Sequence, residues 1–69
     1  MTYTFKKISS GIYQCNEIPE LTLERWNAGG AFWDFFYKNN CLTGTFYTKG
    51  AAIKRINDNG VDLEKLEIK

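Results

Sequence analysis

The sequence predicts an α+β fold. Its core is a small antiparallel β-meander of four to five short strands, with one helix from the C-terminal half packed on one face. Three observations predict it. Residues Ala31–Lys38, AFWDFFYK, form an aromatic run of strand composition. Thr48 stands where a helix N-cap belongs, ahead of a segment in which Ala52, Ile53 and Ile56 recur at helical spacing. Asn59-Gly60 then supplies a helix stop, because glycine adopts the left-handed conformation that ends helices.

Thr2–Ile8 has strand composition, and Ser9-Ser10-Gly11 is a turn signal. Ile12–Ile18 alternates as a second strand until Pro19 breaks it. Leu21–Asn27 reads as a strand by the alternation of Leu21 and Leu23, although Leu-Glu-Arg-Trp could also turn helically. Ala28-Gly29-Gly30 joins it to Ala31–Lys38 as a hairpin, Asn39-Asn40 turns the chain again, and Leu42–Tyr47 returns. The helix spans Lys49–Asp58. The tail Val61–Lys69 alternates in part and reads as a last edge strand, with a short helix as the other option.

Composition narrows the function classes. A chain of 69 residues makes one domain, 1–69. With 16% aromatic residues it can fill a core despite its size, since each ring buries roughly 150–250 Å². No apolar run approaches the roughly 20 residues of a membrane span, and the first residues lack the apolar stretch of a signal peptide, so a cytoplasmic protein is expected. Cys15 and Cys41 read as free thiols. With no histidine in the chain they make a poor metal site, so no metal or other cofactor is expected. The missing histidine also removes the commonest general base and the usual activator of a serine or cysteine nucleophile. Ala28-Gly29-Gly30 lacks the Lys-Ser/Thr of a phosphate loop. A non-enzymatic protein is expected, with no catalytic residues.

The parity of the aromatic strand points to a surface. Trp33, Phe35 and Tyr37 share one face, while Phe32, Asp34, Phe36 and Lys38 share the other. One helix covers only one face. If the first is core, Phe32 and Phe36 stand on a mixed outer face with Trp26 nearby, as at many protein–protein sites. The other option is that the N-terminal hairpin curls over these rings. The expected partner-binding residues are Trp26, Phe32, Asp34, Phe36 and Lys38.

Gly44-x-Phe46-x-Thr48-Lys49-x-x-Ala52 resembles a motif that closes the sheet of the arm-type DNA-binding domains of tyrosine recombinases. Those domains are similar in turn to a plant DNA-binding fold of three strands and one helix. The same strand-to-helix pattern looks like that of small phage-encoded proteins. The resemblance implies that Phe46 plugs the space between sheet and helix, that Thr48 caps the helix, and that Ala52 lets it approach closely. It also implies DNA binding by the sheet face. The chain departs from the family at Ala51, where an acidic residue is usual, and along a sheet that is not basic.

Charge weighs between the two readings. The formal net charge is +1, and residues 1–38 balance four basic against four acidic groups. A nucleic-acid binder draws much of its affinity from lysine and arginine on phosphates. Lys6, Lys7, Arg25, Lys38 and Lys49 are the residues that could supply such a patch. The leading expectation is a small protein-binding module, of the phage or mobile-element accessory kind that inhibits or adapts a larger host protein. It would be a monomer or weak homodimer. DNA binding through the face of a three-stranded sheet is the alternative.

Overall fold

The computed structural model describes residues 2–27 and 30–69. The expected hairpin turn at Ala28-Gly29 therefore lies outside the described residues. The chain runs β1 (Phe5–Ser9), β2 (Ile12–Cys15), β3 (Leu21–Trp26), β4 (Phe32–Tyr37), β5 (Asn40–Phe46), α1 (Lys49–Asn59), β6 (Val61–Asp62) and β7 (Glu67–Ile68). The α+β class with one helix on a mostly antiparallel sheet is as the sequence predicts.

The strand count and connectivity are corrected. The sheet has seven strands among the described residues, in the order β1-β2-β3-β4-β5-β7-β6, against the four to five expected. Strands β1 to β5 form the expected meander. The tail then adds two strands of two residues each, and β7 pairs parallel to β5 through Thr43 and Glu67. An irregularity in β5 accompanies this pairing. Asp34 pairs with Thr45 and Phe36 with Cys41, so Leu42, Thr43 and Gly44 together oppose Phe35. Thr43 N–H donates instead to the Leu66 carbonyl, at 2.9 Å. Gly44 sits at φ +107°, a conformation L residues avoid.

The core lies between the sheet and α1. Cys15, Leu21, Leu23, Phe35, Leu42, Ala52 and Ile56 are buried together. Fully burying a side chain of the size of Leu or Phe stabilises by roughly 1.5–3 kcal/mol. The residues singled out around the helix take the positions expected of them. Phe46 packs edge-on against Phe35, with ring centroids 5.9 Å apart. Thr48 Oγ1 accepts from the Ala51 N–H at 3.0 Å, and Ala52 is fully buried. Gly60, at φ +82°, closes the helix by donating its N–H to the Ile56 carbonyl. Both cysteines are free thiols, Cys15 in the core and Cys41 exposed. Among the described residues no helix is long and apolar enough to cross a membrane.

Candidate functional site: the open face of the sheet

Register assigns each side chain to a face, because residues directly opposite across strands point the same way. Leu23 opposes Phe35, and Trp33 opposes Phe46, so these rows face α1. The other face presents three rows. Lys6, Gln14, Thr22, Phe36 and Cys41 make the first. Ile12, Glu24, Asp34 and Thr45 make the second. Trp26 and Phe32 make the third. The N-terminal hairpin extends the sheet beside β3 rather than curling over these rings.

The aromatic residues of this face pack on one another. Trp26 and Phe36 rings lie 6.0 Å apart, and Phe32 and Tyr47 rings 5.8 Å. Phe32 and Phe36 are half-buried, whereas Trp26 is 47% and Tyr47 76% exposed. Trp26, Phe32, Asp34 and Thr45 line a shallow depression of about 380 Å³. Two carboxylates stand in the middle of the face, Glu24 directly opposite Asp34. Each is held by one hydroxyl. Thr22 Oγ1 donates to Glu24 Oε2 at 3.1 Å, and Thr45 Oγ1 donates to Asp34 Oδ1 at 2.9 Å. Neither carboxylate has a cationic partner among the described residues, whose ion pair is Lys54–Asp58 on the helix. Partial burial pushes the Cys41 thiol above its ordinary value, and the negative charges of Asp34 and Glu24 push it further.

Four of the five residues expected to bind a partner are therefore brought together: Trp26, Phe32, Asp34 and Phe36. Lys38 is not with them, and the strict alternation that placed it on this face is corrected. Tyr37 pairs with Asn40, so Lys38 and Asn39 form a two-residue turn, with φ of 48° and 68°. The turn lifts Lys38 out of the strand, and its ammonium lies 5.3 Å from the centre of the Tyr37 ring. Glu24, Thr45 and Tyr47, which border the aromatic cluster, were not among the expected residues. Glu24 and Thr45 follow from the alternation around Leu23 and Phe46, and Tyr47 from its position after Phe46.

The cations considered for nucleic acid are divided. Lys6 ends the first row of the open face, and Lys38 sits at the far turn. Lys7 opposes Tyr13 and Arg25 opposes Trp33, both on the helix side. The Lys49 ammonium lies 4.3 Å from the centre of the Tyr13 ring, and Tyr13 and Trp33 rings are 5.8 Å apart. Lys7, Arg25 and Lys49 thus gather on the helix side of the sheet. Among the described residues no group of three or more His, Cys, Asp or Glu could hold a metal ion.

No protein-family profile, curated protein or solved structure matches the chain.

Proposed function

We propose that this chain is a small, non-enzymatic protein-binding module that docks its partner on the open face of the sheet. The partner would be a larger host protein that the module inhibits or adapts, in the manner of the phage and mobile-element accessory proteins its strand-to-helix motif resembles. One observation carries the reading: Trp26, Phe32, Phe36 and Tyr47 are clustered on the sheet face away from α1. Partly exposed aromatics rimmed by polar groups are typical of binding surfaces, and tryptophan and tyrosine are enriched among their hot spots.

Affinity capture with tagged protein tests this. Trp26→Ala and Phe36→Ala should each keep the fold and weaken capture of a discrete partner by about 2 kcal/mol or more. Capture unchanged by either substitution counts against the face.

DNA binding is the second reading, favoured by the grouping of Lys7, Arg25 and Lys49 beside Tyr13 and Trp33. It would use the helix side rather than the open face. Its mark is an affinity for nucleic acid that falls steeply with salt and is reduced by Arg25→Glu.

A further inference from the structure

The register places two carboxylates side by side in an aromatic surface, and that juxtaposition asks for a counter-charge. Glu24 opposes Asp34 directly, an arrangement that destabilises a sheet pair unless something positive sits over it. Among the described residues nothing does. The cation that register places on the open face among the described residues, Lys6, lies at the β1 edge of the neighbouring row, separated from Phe36 by Gln14 and Thr22. The threonine hydroxyls occupy Glu24 Oε2 and Asp34 Oδ1. Glu24 Oε1 and Asp34 Oδ2 accept no hydrogen bond among the described residues, and a carboxylate has acceptor capacity at both oxygens. Trp26 and Phe32 wall the depression that Asp34 and Thr45 complete.

We infer that the open face recognises a basic segment of its protein partner, seating an arginine or lysine side chain between Trp26 and Phe32 with its charge on Glu24 and Asp34. The chemistry fits at both ends. The aliphatic stem and the cation pack on aromatic faces, Trp26 being the strongest cation–π acceptor among the natural side chains. An arginine fork can donate to two carboxylate oxygens at once. The same carboxylates repel phosphates, so a nucleic acid is a poor occupant of this face.

The inference rests on the docking reading, and the test separates the two. The probe is the acetylated, amidated peptide Gly-Arg-Gly-Arg-Gly, titrated into isotope-labelled protein and followed by NMR. The control replaces each arginine by citrulline, which keeps the shape and removes the charge. The arginine peptide should shift the Trp26 indole and the Phe32, Glu24 and Asp34 amides. Citrulline should bind roughly tenfold more weakly, as should the arginine peptide to the Glu24→Gln/Asp34→Asn variant. That variant should melt no lower than the parent, because it relieves a like-charge pair. Equal shifts of these residues by both peptides overturn the cation inference and leave the docking face standing. Binding undiminished in the folded double variant also overturns it. Shifts that are absent or confined to the helix side overturn it as well, and Trp26→Ala and Phe36→Ala capture then decides the docking reading. A single-stranded oligonucleotide that shifts the open face overturns it too.

Discussion

Asn57 of α1 clasps the backbone of Tyr3. Its Oδ1 accepts the Tyr3 N–H at 2.6 Å, and its Nδ2 donates to the Tyr3 carbonyl at 3.1 Å and to the Ile53 carbonyl at 3.0 Å. One side chain thus ties the N-terminal segment directly to the helix. From there β1 runs to the edge of the sheet and, with β2, widens the open face.

Asn57→Ala removes these bonds and leaves partly buried backbone groups without partners. It should destabilise the fold by about 1–3 kcal/mol, read as a lower urea midpoint at unchanged slope. A midpoint equal to the parent's would mean that the clasp adds nothing.

A second tie on the same segment is pH-dependent. Glu17 accepts from the Thr4 N–H and from the Thr4 hydroxyl, both at 2.7 Å. These bonds favour the charged form and hold its carboxyl below the ordinary glutamate value. The folded state therefore binds this proton more weakly than the unfolded chain. The contribution is fully present above the unfolded value of about 4.3 and is lost as pH falls through the folded value. Glu17→Gln should flatten the fall of melting temperature on acidification below about pH 5. An identical acid profile in parent and variant would contradict it.

The β4–β5 turn offers a test of backbone strain. Lys38 occupies a left-handed position that favours asparagine or glycine. Its position over the Tyr37 ring returns only about 0.5 kcal/mol at an exposed site, against roughly 1 kcal/mol or more for the backbone. Lys38→Asn should therefore stabilise by about 0.5 kcal/mol, and the β-branched Lys38→Val should destabilise by more than about 1 kcal/mol. The reverse order in denaturant melts would show that the turn is not as described.

The sequence was legible where structure is set locally. The Thr48 cap, the Ala52 and Ile56 stripe and the Gly60 stop lie within a few turns of one another, and the helix ends one residue past expectation, at Asn59. Alternation in the aromatic strand separated Phe35 from Phe32 and Phe36 correctly. What escaped depends on partners distant in the chain. Two-residue strands such as β6 and β7 have no periodicity to read, and they exist through Thr43, Glu67 and the Leu66 carbonyl. The turn fell on Lys38-Asn39 rather than Asn39-Asn40 because Tyr37, not Lys38, makes the last β4 pair. Alternation around Leu23 places Glu24 on the open face, but its pairing with Asp34, ten positions away, is set by register between strands.

The most direct test of the open face as a docking surface is site-specific photocrosslinking in cells. A benzophenone amino acid is placed at Trp26 or Phe36 on the open face, and at Arg55 on the exposed side of the helix as control. A covalent adduct with one discrete protein is expected from Trp26 and Phe36, and none from Arg55. Adducts from Arg55 alone, or no adduct from either position of the open face while the variants remain folded, would contradict it.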